Sequence, residues 1–351
     1  MKFKYIAKKA AVIFLSAALC MGSLTGCGKE TKVVFTTGLS GNQVFKIGSE
    51  TCVRPELMVY LITFYNQYAD TYGEEMWHYD FGGVTLEEHV KKTVLSKMIQ
   101  IKIMNLMAQE QKISLSTEEE KKVSEAAGVY YDGISDALRK KEKITPEIAE
   151  KVYAEYALAN KVYATITESA DMEISDDEAR TVTVQAIYLK NWKMKNNEKT
   201  PMSEEETLEV LERARQALKR AESGEDFEAL AAEYSDDKQI VKSFARGDAE
   251  AHFEETLFAL DEGDVSQVIE TKDGYYIVKC ISTMDYEATQ ENKLVLAQQR
   301  QRKAFSDAYT TIAENTHSQF RDRYWEKVTI EGEDYKTDAD FFEIYDQYVK
   351  Q

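Results

Sequence analysis

The sequence is poor in several residue types that commit a protein to particular chemistries. Its 351 residues hold four cysteines, four histidines and three prolines. Two cysteines, Cys20 and Cys27, fall within the first 27 residues, so no disulfide framework is available to the rest. Cys52 and Cys280 remain as thiols, and their distant positions argue against a bond between them. The histidines, His78, His89, His252 and His317, stand in separate segments without the Cys/His/Asp spacing of a metal site. No glycine-rich phosphate loop or nucleophile elbow is present, so no metal, cofactor or hydrolytic triad is implied. Cationic residues are also short: 44 Lys and Arg face 62 Asp and Glu, a net charge of −18. Nucleic acid, which requires clustered positive charge, is therefore not an expected partner, and the acidity also favours solubility. Beyond the first residues no apolar run is long enough to span a bilayer. What the chain does have is length for two or three domains, and 21 tyrosines and 14 phenylalanines to build their cores.

Lys2, Lys4, Lys8 and Lys9 form a cationic start, Ala10–Leu19 is apolar, and Leu24-Thr25-Gly26-Cys27 follows. That order reads as an export signal, set aside from the fold. The tetrapeptide resembles the bacterial lipobox, which implies cleavage before Cys27 and lipidation of its thiol. The expected location is the outer face of a bacterial, Gram-positive-type membrane, held by a lipid anchor at Cys27. Loss of four lysines, with no acid in the same segment, would move the net charge from −18 to −22.

Three regions follow the signal, 1–27. In 28–174, Val33–Thr37 and Gln43–Ile47 suit two strands around a glycine turn, after which the pattern turns helical. Leu57, Leu61, Phe64, Tyr65 and Tyr68 form one stripe. Thr85 with Glu88 and Ser116 with Glu119 have capping-box spacing, and Thr145-Pro146 suits a helix start. The Met and Tyr content could serve as the core of a small bundle or line a groove for apolar peptide. In 175–285 the texture is β-α-α-β-α-β-β: a strand at Val182–Leu189, a polar stretch with Pro201, helices at 204–222 and Phe227–Tyr234, a strand at Ile240–Ala245, a helix at Phe253–Leu260, and strands at Val265–Glu270 and Tyr275–Ile281. This predicts an α+β domain. In 286–351 a long helical pattern runs from Ala288 to Trp325, expected to pack on the N-terminal helices, and ends in an acidic, aromatic tail.

The segment Glu222–Asp236, the run Phe244-Ala-Arg-Gly followed by Phe253–Leu260, and the pieces Gly263-Asp-Val-Ser, Thr271-Lys-Asp-Gly and Tyr275–Lys279 together resemble the parvulin-type (rotamase) peptidyl-prolyl isomerases over 179–284. Helices on both sides of such a module resemble the layout of the PrsA and SurA folding factors. The resemblance implies an apolar pocket for a proline ring and polar groups that favour the twisted amide, whose rotation otherwise faces a barrier of ~18–20 kcal/mol. It places Phe253 at the family's pocket phenylalanine and Asp237 at its Cys/Asp position. Phe244 and Arg246 fall in the Phe-x-Arg-Gly turn, and Ala249 stands at the pocket methionine. It also shows two departures, since the first family histidine corresponds to Ala186 and the second to Tyr276.

Three functions are therefore weighed. A membrane-anchored folding factor would bind unfolded or newly exported polypeptides and their proline-containing segments, with turnover compromised by the two replacements. A weakly active isomerase would use Asp237, Tyr276 and Phe253. A scaffold or partner-docking lipoprotein would use neither. A homodimer is compatible with each.

Overall fold

The computed structural model describes residues 38–350. The signal segment, Cys27 and the strand expected at Val33–Thr37 lie outside the described residues. The chain divides into two compact units: one takes the chain up to Ala170 together with Gln301 onward, and the other is Asp171–Arg300. Together the helices and strands make an α+β protein, as the sequence pattern predicts.

The first unit opens with β1 (Gln43–Ile47), which turns at Gly48 into β2 (Glu50–Val53). Gly48 takes φ 55°, the left-handed geometry that a two-residue hairpin loop requires. Helices α1 (Arg54–Tyr72), α2 (Leu86–Gln111), α3 (Thr117–Gly133), α4 (Asp136–Glu142) and α5 (Pro146–Glu168) follow. Both expected capping boxes form: Thr85 and Glu88 exchange side chain and backbone bonds at the start of α2, and Ser116 and Glu119 do so for α3. Pro55 and Pro146 sit in the first turns of α1 and α5, where no N–H is needed.

The second unit has α6 (Asp176–Ala179), β3 (Thr181–Lys190), a hairpin of β4 (Trp192–Lys195) and β5 (Glu198–Pro201), α7 (Glu204–Glu222), α8 (Phe227–Tyr234), β6 (Val241–Ala245), α9 (Ala251–Ala259), β7 (Ile269–Thr271) and β8 (Gly274–Ser282). The hairpin occupies what reads in the sequence as a polar stretch. It closes on Asn196 and Asn197, both at positive φ (53° and 64°), the conformation of a type I′ turn. The expected strand at Val265–Glu270 is shortened to β7. Ser266 donates its N–H to the Val278 carbonyl, and its Oγ accepts the Val278 N–H that a regular ladder would use.

The sheet is antiparallel in the order β6-β3-β8-β7, so β3 lies inside it and is covered on both faces. Ile187 and Leu189 pack with Ala214, Leu218, Phe227 and Leu230 of α7 and α8. Val182, Val184 and Ala186, on the alternate face, pack with Phe253 and Leu257 of α9.

The last stretch contains α10 (Tyr286–Asn315), β9 (Ser318–Phe320), α11 (Asp322–Trp325) and α12 (Phe341–Tyr348). The single helix expected from Ala288 to Trp325 is therefore broken after Asn315. The cause is β1, whose second edge offers backbone donors and acceptors that β9 satisfies in antiparallel register, Phe45 opposite Phe320. Ala304, Phe305, Ala308 and Ile312 pack on the core of the first unit, with the Phe305 ring 4.9 Å from that of Tyr163. The tail completes the same core. Phe341 is fully buried, with ring centroids 4.3 Å from Tyr153 and 4.7 Å from Tyr60, and its carbonyl accepts the Tyr153 hydroxyl at 3.1 Å.

Inside this helical unit lies a closed ionic network. Lys102 Nζ, without exposure, meets Glu56 Oε2 at 2.8 Å and Glu155 Oε1 at 2.6 Å, while Lys151 holds the other Glu56 oxygen at 2.8 Å. Burial alone would depress the Lys102 pKa, but the two carboxylates outweigh it and hold the ammonium well above its ordinary range. Cys52 and Cys280 are both free and buried.

Candidate functional site

The side of the sheet that carries the candidate site is set by strand alternation. Ala186 and Tyr188 alternate along β3, and their neighbours across β8 are Val278 and Tyr276. On β6, Lys242 lies opposite Val184 and Phe244 opposite Val182, which puts both side chains on the same face. Helix α9 brings Phe253 over that face. The result is one apolar cluster holding Ala186, Phe253, Leu257, Ile269 and Val278, with Phe244, Ala249, Phe258 and Tyr276 against it. Phe253 is buried, its ring 4.8 Å from Tyr276 and 5.5 Å from Phe244.

Five of the residues singled out in the sequence are thus brought together: Ala186, Phe244, Ala249, Phe253 and Tyr276. Asp237 is close enough for its charge to act on Tyr276, but its carboxylate is engaged. Oδ2 accepts Lys242 Nζ at 2.6 Å and Oδ1 accepts the Gln239 N–H at 3.0 Å. The hydrogen bond from Lys242, with that from Gln239, holds the Asp237 carboxyl below the usual aspartate range. Arg246 points to other partners: its Nε donates to the Asp177 carbonyl at 3.3 Å, and its guanidinium lies 4.5 Å from the Phe258 ring centroid. His252 is exposed and contacts the Glu270 carbonyl through Nε2.

Tyr276 is half-buried and stacks on Tyr188 at 4.7 Å. Desolvation, then the nearby Tyr188, Asp237 and Asp273, push its phenol up to about 12. It stays a neutral hydroxyl across the physiological range, able to donate one hydrogen bond. Tyr188 is fixed by donating to the Asp273 carbonyl at 2.6 Å and accepting from Trp192 Nε1 at 3.1 Å.

Tyr188, Trp192 and Lys242 were not singled out from sequence. Tyr188 could have been found by alternation, two positions beyond Ala186. Lys242 needed the register of β6 against β3, which no local pattern displays.

Residues 193–282 match the family model of the rotamase, PPIC-type PPIASE domain. The second unit carries a PPIC-type rotamase domain. The match begins within β4 and so leaves β3, with Ala186, outside it. Over more of its length the chain is similar to foldases. It is 23% identical over 280 residues to the foldase protein PrsA of Caldanaerobacter subterraneus subsp. tengcongensis, covering 78% of this chain and 82% of that protein. With foldase protein PrsA 3 of Bacillus anthracis it shares 30% identity over 190 residues, 52% of this chain and 59% of the relative. Among solved structures, PrsA from Bacillus cereus aligns at 21% identity with TM-score 0.34, covering 74% of this chain and 94% of that one.

This face of the second unit therefore offers an aromatic cluster, the stacked phenols of Tyr188 and Tyr276, and a lysine–carboxylate pair. It has no imidazole at Ala186 or Tyr276. Among the described residues no group of three His, Cys, Asp or Glu side chains is placed to hold a metal. No helix among them is long and apolar enough to cross a membrane.

Proposed function

We propose that this protein is an extracytoplasmic, lipid-tethered folding factor that holds unfolded, newly exported polypeptides, its rotamase domain binding proline-containing segments with little or no turnover. The observation that carries the reading is an aromatic cluster of Phe244, Phe253 and Tyr276 beside a position, Ala186, that has no polar side chain. Phe253 packs against Phe244 and Tyr276, an aromatic cluster at the position where the resemblance expects the proline ring to be held. Ala186, 1% exposed, has only a methyl group to offer where the family supplies an imidazole. Ring burial supports binding, whereas acceleration of a barrier of ~18–20 kcal/mol needs groups that favour the twisted amide more than the planar one. The tether rests on the Leu24-Thr25-Gly26-Cys27 sequence.

A second reading, a weak isomerase, draws on Tyr276. Its neutral hydroxyl beside Phe253 could donate to the rotating carbonyl. NMR exchange on proline-containing peptides, with the full chain and its Phe253→Ala and Tyr276→Phe variants, separates the two. Peptide shifts that Phe253→Ala removes, without faster cis/trans exchange, are the expected result. Exchange accelerated by the wild type and lost in Tyr276→Phe would establish the second reading instead.

A further inference from the structure

In the helical unit, between α1 and α2, the chain forms a one-turn helix at Glu74–His78 and then a tight turn that displays apolar side chains to solvent. Every residue from His78 to Val84 is exposed, and Tyr79 (55%), Phe81 (59%) and Val84 (37%) are among them. Scattered exposed apolar residues need no explanation, but three in six consecutive positions form a local patch. The Tyr79 and Phe81 rings pack edge to face at 4.9 Å.

The patch is held in place rather than left loose. The Phe81 N–H donates to the Val84 carbonyl at 3.0 Å, the Leu86 N–H to Tyr79 at 3.3 Å, and Asp80 Oδ1 accepts the Gly83 N–H. Gly82 and Gly83 sit at φ 90° and 103°, with open space where a Cβ would stand. Trp77, buried edge-on against Tyr65, anchors the base, and the Thr85 capping box anchors the exit. A rigid aromatic display loses little conformational freedom on binding, which is the condition for contact energy to appear as affinity.

Charge identifies the occupant. Residues 70–90 contain six carboxylates, at Asp70, Glu74, Glu75, Asp80, Glu87 and Glu88, and no lysine or arginine. Lys336 pairs with Glu74, Glu88 serves the cap of α2 and Glu87 lies beside His78, while Asp80, bonded to the Gly83 N–H, stands between the two exposed rings in sequence and Glu75 precedes them. An anionic lipid surface or a second copy of this acidic turn would be repelled. We infer that the Tyr79–Val84 turn is a docking surface for unfolded polypeptide segments that mix aromatic or aliphatic side chains with lysine or arginine. The inference rests on the holding role proposed above and assigns that role a place and a client chemistry.

The test uses the full chain, a fluorescent peptide alternating Phe and Leu with Lys, and its counterpart with Glu in place of Lys. The lysine peptide binds the wild type more tightly, and added salt narrows the difference. The exposed double variant Tyr79→Ser/Phe81→Ser weakens binding about tenfold with unchanged melting, and Glu75→Lys reduces the preference for the lysine peptide. Equal affinity of wild type and double variant would overturn the site while leaving the holding role standing. Equal affinity for the two peptides would overturn the client chemistry. If the wild type binds neither peptide and fails to suppress aggregation of a denatured protein, the holding role falls and this inference falls with it.

Discussion

Lys102 and Lys242 each bring Nζ to 2.6 Å from a carboxylate oxygen, the first in the helical unit and the second at the candidate site of the other unit. Their surroundings differ. Lys102 has no exposed side chain and is enclosed by Glu56 and Glu155, whereas the Lys242 and Asp237 side chains are 21% and 36% exposed. A contact distance alone therefore says little about role. In the interior, removing one partner strands a charge that water cannot reach. At a rim, water replaces the partner, and the same two groups are left available to a ligand.

The comparison orders the expected effects. Lys102→Met should destabilise the helical unit by about 3 kcal/mol, because Glu56 and Glu155 would lose the buried cation between them and keep only Lys151, at 2.8 and 3.7 Å. Hydrogen exchange read separately in the two units checks this, and full protection of the helical unit would break the distinction. Phe253→Ala, an apolar loss in the other unit, should cost about 3 kcal/mol there and abolish proline-peptide binding. Lys242→Met should change stability by less than about 1 kcal/mol, yet alter peptide affinity. A large loss of stability would place Lys242 with Lys102. The smallest effect is on pH dependence. Asp237 has a lowered folded pKa, so its contribution is complete above the ordinary aspartate range and is lost as pH falls through the folded value. The wild type should therefore lose slightly more stability than Asp237→Asn on acidification, measured by urea unfolding.

Local signals were legible and long-range ones were not. The capping boxes at Thr85 and Ser116, the helix Phe227–Tyr234 and the alternation in β3 are written in adjacent residues, and the structure follows them. The strand Ser318–Phe320 is not, because its conformation is chosen by Phe45, far away in the chain. The hairpin at Trp192–Pro201 was hidden by its polar composition, although Asn196-Asn197 was its turn signal. Phe244, Ala249, Phe253 and Tyr276, picked out by the family pattern, do come together in one cluster. The partner of Asp237 could not be read the same way, since Lys242 reaches it only when β6 takes its register against β3.

The division of the chain bears on the order in which it can be finished. The rotamase-bearing unit is one uninterrupted stretch, Asp171–Arg300, whereas the helical unit needs the segments both before and after it. Phe341 lodges among Tyr60, Tyr130, Tyr153 and Tyr156, so those four rings have no complete neighbour set until Phe341, some 185 residues after Tyr156, arrives. A chain emerging from its N-terminus can close the inner unit first and must keep the outer one open. During that interval the protein itself presents unfinished aromatic surface of the kind that unfolded polypeptides expose.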